Sequence, residues 1–377
     1  MTTLAAVALN PDSNLLTAAL PLLEEEMVDA IEWSFDAVDT TGRLPAYFHD
    51  LLQFYASHHR LIGHGIYFSA FSGKWTPDQQ EWLSRLAAVC RQFPLEQVTE
   101  HFGFMTGKDF HKGAPLNIPR NAATLAIGRD RLARIRQACN CPVGLENLAF
   151  SYSLEETRHH GAFLAELVEP VNGFIILDLH NCYCQAMNFS VDADRLLDTY
   201  PLHLVREIHI SGGSWEPFPD APGGMVRRDT HDDSVPQEVF DLLQLALRRC
   251  PNVRYVTLEQ LSTALETTSA QEQFCKDFRR MRGMMAIPEG ERQQAASGVP
   301  QVDFHRPIPL LTGQIPVEDM LLYQQQRELA GILESSEDLA TAQKLLRNSS
   351  LAASDWKIEN WAPYMVETAR QIARKWK

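Results

Sequence analysis

The sequence predicts a (β/α)8 barrel of the TIM type with a helical C-terminal extension. Eight short apolar or β-branched runs alternate with helically periodic segments over about 280 residues. No Gly-rich phosphate fingerprint follows the first run, which argues against the rival fold, an open doubly wound sheet. Histidines and carboxylates recur at the carboxyl ends of successive runs, the end at which such barrels build their sites.

The runs are 5–9, 30–35, 61–68, 97–104, 142–148, 173–179, 205–210 and 254–258. Helical spacing fills the intervals. Leu51, Leu52 and Tyr55 share a face before the third run, and Trp82, Leu83, Leu86, Ala87 and Cys90 share one after it. Leu125, Leu132 and Ile135 precede the fifth run, and Phe163, Leu164 and Leu167 precede the sixth. Val239, Leu242, Leu243, Ala246 and Leu247 precede the eighth, and Phe274, Phe278 and Met281 follow it. The expected division is a barrel over 1–285, a Pro-rich linker or strap over 286–317 holding Pro288, Pro300, Pro307, Pro309 and Pro316, and a helical extension over 318–377. Three helices are expected near the end: 317–333, 337–347 after a Ser335–Ser336 cap, and 356–376 after Ser354–Asp355.

Composition narrows the function classes. A net charge of -14, nearly all of it before residue 284, argues against nucleic acid as a partner and leaves room for bound cations. No run approaches the roughly 20 apolar residues of a membrane span. The opening MTTLAAVALNPDSN lacks a basic n-region, so a cytoplasmic protein without signal peptide is expected. Seven cysteines without paired CxxC spacing argue against a disulfide scaffold. Cys182 and Cys184 stand beside a candidate ligand; Cys139 and Cys141 repeat the CxC spacing.

The strand ends carry the chemistry. They bring Glu32 and Asp36, His64, His101, Glu146 with Asn147, Asp178 with His180 and Asn181, His209 with Asp229 and His231 from its loop, and Glu259. Singly, each has a bland reading: a hydrogen-bonded core histidine, a turn residue, or a helix cap such as Asp232, Asp233 or Ser234 before Pro236. Together, this many histidines and carboxylates converging on one mouth, at least four of each, would repel and desolvate badly without cations. Mixed N/O ligation without thiolate suits iron, manganese or zinc, and the set is too large for one ion. Glu146 is the carboxylate suited to bridging, and Asn147 a group suited to orienting ligands.

Seven landmarks in order resemble the multinuclear non-heme iron-dependent oxidative enzymes, (β/α)8 barrels that modify ribosomally made peptides. They are LIGHGIYFS at 61–69, EHFGFM at 100–105, GLENLAF at 144–150, ILDLHNCY at 176–183, EIHISGG at 207–213, RDTHDDSVPQEVF at 228–240 and TLEQ at 257–260. The resemblance implies metal ligands at His64, His101, Glu146, Asp178, Asn181, His209, Asp229, His231 and Glu259, with Asp178, His209 and Asp229 closest to the chemistry. It also implies two or three iron ions in mixed Fe(II)/Fe(III) states, O2 as co-substrate, a precursor peptide as substrate with cysteine the usual target, and a small peptide-presenting partner protein. The family commonly has a second histidine four residues after the first in the seventh-strand motif; here that position is Gly213. That departure bears on the metal count, or opens room for substrate.

Two other readings stay open on the sequence. One is a zinc- or manganese-dependent hydrolase or isomerase resembling the xylose-isomerase-like and endonuclease IV groups. The other is a metal-loaded binding subunit without turnover. The C-terminal helices, with Trp356, Trp361 and Trp376, are expected either to dock or replace the partner protein or to fill a helix–barrel interface.

Overall fold

The computed structural model describes residues 2–37, 44–107, 113–286, 302–311 and 313–375. Strand β1 (Leu4–Ala8) leads to α1 (Ser13–Glu24), whose first turn is capped by the Asp12 carboxylate. There follow β2 (Ala30–Trp33), α2 (Ala46–Ser57), β3 (Leu61–Gly65) and α3 (Pro77–Gln92), the last opened by a Thr76–Gln79 capping box. Next come β4 (Val98–His101), a small hairpin of β5 (Phe104–Met105) and β6 (Pro115–Leu116), and α4 (Ala122–Cys139). The chain continues through β7 (Val143–Glu146), α5 (Leu154–Val168), β8 (Phe174–Asp178), α6 (Leu179–Asn188), α7 (Ala193–Leu197) and β9 (Val205–Ile210). A second hairpin, β10 (Trp215–Pro217) with β11 (Met225–Arg227), precedes α8 (Gln237–Arg249), β12 (Tyr255–Leu258) and α9 (Thr268–Met284).

Eight parallel strands close on themselves in the order β1-β12-β9-β8-β7-β4-β3-β2. Each barrel strand overlaps one of the eight apolar runs. The strands are buried on both faces, so they read as near-continuous apolar stretches. The register sets His101 beside Glu146 and Asp178 beside His209, which fixes polar residues of neighbouring strands at one height.

Residues 302–306 cross the amino-terminal end of the barrel. Phe304 packs edge-on against Phe174 at 5.9 Å, and the Arg206 guanidinium lies 5.4 Å over its ring. Arg136 donates to the Phe304 carbonyl at 2.9 Å. The chain then runs up α4, where Arg134 and Arg131 donate to the carbonyls of Gln314 and Val317. The central part of the expected linker, including Pro288 and Pro300, lies outside the described residues.

The C-terminal helices are α10 (Met320–Ser335), α11 (Leu339–Arg347) and α12 (Pro363–Lys375). All three expected starts move, the first from 317 to Met320, where Asp319 accepts from the Leu322 N–H at 2.8 Å as the cap. The cap of α11 is Asp338, which accepts from the Thr341 N–H at 2.7 Å, because Ser335 and Ser336 instead donate back to carbonyls one turn earlier in α10. The last helix starts at Pro363 rather than 356, since the Ala362 N–H is committed to the Tyr152 carbonyl at 2.8 Å and proline suits the first helical turn. Likewise no side chain among Asp232, Asp233 and Ser234 caps α8; Asp233 accepts from the Ser234 N–H instead.

These helices pack on loops at the carboxyl ends of the strands. The Asp319 N–H donates to Gly73, and Gln326 bridges Gly73 and Phe71. Trp361 stacks on Tyr152 at 3.8 Å, Trp356 donates to Gln325, and the Tyr364 hydroxyl donates to the Asn188 carbonyl. Trp356 and Trp361 are thus buried in the interface between helices and barrel; Trp376 lies outside the described residues. Among the described residues, no helix is long and apolar enough to cross a membrane.

Candidate metal centre

The candidate residues converge at the carboxyl end of the barrel. His64 comes from β3, His101 ends β4, Glu146 ends β7, Asp178 ends β8, His209 comes from β9 and Glu259 follows β12. Their donor atoms form two overlapping nests. His64, His101 and Glu146 offer atoms within 4.8 Å of one another, and so do Glu146, Asp178, His209 and Glu259. Glu146 belongs to both. Its Oε2 lies 3.4 Å from His64 Nε2 and 3.2 Å from His101 Nε2, and its Oε1 lies 3.9 Å from His209 Nδ1.

Several of these atoms are buried without a hydrogen-bond partner among the described residues: Glu146 Oε2, Asp178 Oδ2, Asn181 Oδ1, His101 Nδ1 and His209 Nδ1. Buried polar atoms in native proteins are satisfied, and this cluster of orphans asks for an ion or water. All the donors are nitrogen and oxygen. The two nearby thiols stay outside both nests: Cys182 receives the Asn147 amide at 3.5 Å, Cys184 lies 3.9 Å from His180, and burial pushes both thiols up. The donor set therefore fits iron, manganese or zinc in an open N/O site.

Neighbouring groups hold the donors in place. Thr99 donates its hydroxyl to the Gly63 carbonyl at 3.3 Å and so accepts from His64 Nδ1 at 2.8 Å, which leaves Nε2 as the free lone pair. Asn147 grips Asp178 through the backbone, accepting from its N–H at 2.6 Å and donating to its carbonyl at 3.0 Å. Asp178 Oδ1 caps α6 through the Asn181 N–H, and Asn181 Nδ2 reaches Glu146 Oε1 at 3.3 Å.

The loop after β11 supplies Asp229 and His231, half-buried at the rim. His231 Nε2 lies 3.0 Å from Asp229 Oδ1, and its Nδ1 lies 3.9 Å from Glu259 Oε2. His231 has φ of 52, a left-handed conformation uncommon for residues other than glycine. The Leu261 N–H, donating to the His231 carbonyl at 2.9 Å, helps hold it there. His180 is wholly buried behind this pair. It donates from Nδ1 to Asp229 Oδ1 at 2.9 Å and accepts from the Arg227 Nε–H at 3.2 Å. Both ring nitrogens are thus occupied, and His180 props Asp229 rather than facing the nests.

Gly213 opens no room. A Cβ there would lie 2.2 Å from the Arg228 carbonyl oxygen and 2.8 Å from His180 Cε1. The close approach of two loops and the imidazole of His180 fill the space.

Ionisation follows the same geometry. Burial, reinforced by neighbouring carboxylates, pushes Glu146 up and Asp178 up to about 7, against the pull of His209. Burial drives His64 down and His101 down to about 4. Burial also opposes charge on His231, yet Asp229 lifts it to about 10, and Glu259 and Glu32 lift His209 in the same way. Asp229 and Glu259 sit below the usual carboxylate range because these imidazoles outweigh burial. The carboxylates and imidazoles thus share protons in the places that cations would take.

Glu32 and Asp36 part company. Asp36 accepts from the Ile66 and Tyr67 N–H groups and from Trp82 Nε1, so it ties the loop after β3. Glu32 points into the barrel, with Oε2 3.2 Å from His209 Nε2. Glu207, on the same strand as His209, completes a third cluster with it and Glu32. Glu100, also buried in β4, has no sequence signal of its own, since it stands next to His101 in a run buried on both faces.

The sequence profile of one family, described as RiPP precursor modification enzyme MbnB/TglH/ChrH, matches residues 24–275. Among curated proteins, a UPF0276 protein of Streptomyces avermitilis is 27% identical over 237 residues, covering 60% of this chain and 46% of its own length. A UPF0276 protein of Bordetella pertussis is 30% identical over 186 residues, covering 49% of this chain and 63% of its own length. The chain therefore spans about half to two thirds of these relatives. Among solved structures, the IOLI protein with a binding zinc atom aligns with a TM-score of 0.49 and 15% identity, covering 75% of this chain and 98% of the other. Endonuclease IV from Thermus thermophilus aligns with a TM-score of 0.47 and 13% identity, covering 74% and 98%.

Proposed function

Because this chain belongs to the RiPP precursor modification enzyme family MbnB/TglH/ChrH, we propose that it is an O2-dependent multinuclear iron oxidase acting on a residue, first of all cysteine, of a ribosomally made precursor peptide. The observation that carries the reading is Glu146, one buried carboxylate shared by two nests of nitrogen and oxygen donors. His64 and His101 would hold one ion with Glu146, and Asp178, His209 and Glu259 a second; Asn181, Asp229 and His231 lie beside them and complete the set for two or three Fe(II)/Fe(III) ions. Bound iron would supply the capacity to activate O2 and to oxidise a substrate residue held at the same centre.

The protein's own residues bind, orient and shield. Thr99 and Asn147 fix His64 and Asp178 before any metal arrives, so little reorganisation is needed. Arg227 and His180 hold Asp229 at the rim. Asp178, His209 and Asp229 are the residues assigned closest to the reacting atoms. The strap at Phe304 packs on Phe174 and Arg206 at the opposite end of the barrel, and peptide and O2 would enter from the carboxyl end, where the β10–β11 hairpin lies. There Trp215, 39% exposed, stacks on Arg227 at 5.2 Å and offers an aromatic ledge beside the centre. The buried C-terminal tryptophans favour the interface role for the extension, which leaves a separate peptide-presenting protein as the further partner. A cytoplasmic location agrees with seven unpaired cysteines.

Protein purified without oxygen, analysed for metals, then mixed with a candidate precursor peptide and pulsed with O2, tests the reading by mass spectrometry. The expected result is bound iron and an oxidative mass change on the peptide. Zinc as the sole metal, together with full phosphodiesterase activity, would sink it in favour of a hydrolase.

A further inference from the structure

His209 is the most enclosed imidazole of the centre, and its two nitrogens face different surroundings. Nδ1 looks towards the ligands: it lies 3.2 Å from Glu259 Oε2 and 3.9 Å from Glu146 Oε1, without a hydrogen-bond partner. Nε2 looks down the barrel, 3.2 Å from Glu32 Oε2 and 3.4 Å from Glu207 Oε1. A neutral imidazole has one N–H and one lone pair, so whichever group holds the N–H decides which nitrogen is left for metal.

We propose that Glu32 is a positioning residue that holds the Nε2–H of His209 and so delivers Nδ1 to the metal centre. The inference rests on the metal-centre reading above. Glu207 is poorly placed to do this alone. Its Oε2 accepts from Gln97 Nε2 at 2.6 Å and its Oε1 from the Thr257 hydroxyl at 2.8 Å, while Gln97 is itself held by Arg206 at 2.8 Å. Those bonds engage both Glu207 oxygens with one donor each and fix the carboxylate in place, 3.4 Å from Nε2 against 3.2 Å for Glu32. Glu32 has no such competitors: Oε2 meets the imidazole and Oε1 is buried without a partner.

The placement is costly unless it serves something. Glu32 reaches across the barrel interior, since β2 and β9 are separated in the sheet by β1 and β12. Aliphatic side chains normally fill these layers, and burying a carboxylate among them is strongly unfavourable when it lacks a partner. His64 is held in the opposite sense, with Nδ1 on Thr99 and Nε2 towards Glu146. The centre therefore takes an Nε2 ligand from one wall and an Nδ1 ligand from the other, which lets two short strands approach the same carboxylate from different heights.

The test titrates apo-protein anaerobically with Fe(II), and separately with Co(II), against a chromophoric chelator, for wild type, Glu32→Leu and Glu32→Gln. Glu32→Leu should weaken binding by about 10–100-fold, the range for lost outer partners of a metal ligand. Glu32→Gln keeps an oxygen acceptor and should stay within about threefold of wild type on the same ground. In the Co(II) protein, proton NMR should show a hyperfine-shifted, slowly exchanging imidazole N–H that survives in Glu32→Gln and is lost in Glu32→Leu. Unchanged affinity and an unchanged resonance in Glu32→Leu would overturn the assignment while leaving the metal centre standing. Should Glu32→Leu fail to fold, absence of the slowly exchanging N–H in wild type overturns it. Wild type that takes up neither metal removes the centre itself, and the assignment with it.

Discussion

Gly213→Ala should cost both stability and metal. The added Cβ would sit 2.2 Å from the Arg228 carbonyl oxygen, more than 1 Å inside ordinary contact, and 2.8 Å from His180 Cε1. Neither neighbour yields easily. The Arg228 carbonyl is backbone in the segment that carries Asp229, and the His180 ring is fixed from both nitrogens. Overpacking of this kind costs about 1–3 kcal/mol. In a chain of this size each kcal/mol lowers Tm by roughly 2–4 °C or less, so the apo-protein should melt a few degrees lower. The larger effect should be on Asp229, which moves with Arg228 and loses its prop when His180 shifts; metal affinity should fall by about 10–100-fold. Calorimetry of the apo-protein and anaerobic Fe(II) titration measure the two effects separately. A Gly213→Ala or Gly213→His protein with wild-type Tm and undiminished metal would refute the claim that this space is closed, and would revive a roomy pocket at that position.

Other outcomes follow from the same geometry. Glu146→Gln should lower the metal bound after anaerobic loading by at least one ion per chain, because both nests lose a shared carboxylate; Asp36→Asn, on the loop-tying carboxyl, should leave the metal content unchanged. Burial raises Glu156 from 4.5 to about 7, so its contribution to stability is whole below about 4.5 and declines as pH rises through about 7, by up to ~3 kcal/mol. Glu156→Gln keeps an acceptor for Tyr152 N–H and Asn117 and should flatten that decline; urea unfolding at pH 5 and pH 8 checks it, and identical slopes in the two proteins would count against it. Gly331→Ala, at an exposed site in α10 with nothing near the added methyl, should stabilise by about 0.5–1 kcal/mol in the same assay.

The barrel was legible because its strands are short apolar runs ending in polar residues, and the run at 205–210 coincides with β9 residue for residue. The hairpins were not. β5–β6 and β10–β11 are two or three residues per strand, too short for a period to register. The candidate ligands were legible for a related reason: a histidine or carboxylate at the end of an apolar run stands out. Which way a carboxylate inside a run points did not stand out. Glu32, Glu100 and Glu207 all interrupt strands buried on both faces, so alternation gives no inside or outside. Glu32 and Asp36 looked equivalent in sequence and do different work, one beneath His209 and one tying the loop after β3. Local hydrogen bonding moved the starts of the C-terminal helices; before α11, Ser335 and Ser336 had nearer carbonyls to serve than the next helix.

The barrel closes by pairing its first strand with its last, β1 on β12, and Glu259 follows that last strand directly. A ribosome emits the chain from one end, so every donor from His64 to His231 is made before β12, the strand that closes the barrel on β1. The nest that includes Glu259 cannot be completed on a chain that lacks the last strand, whereas His64, His101 and Glu146 lie on the neighbouring strands β3, β4 and β7. Completion of the second nest is therefore a late event that waits for the barrel to close. A chain that stops before β12 would leave the edges of β1 and β9 unpaired and the second nest without Glu259.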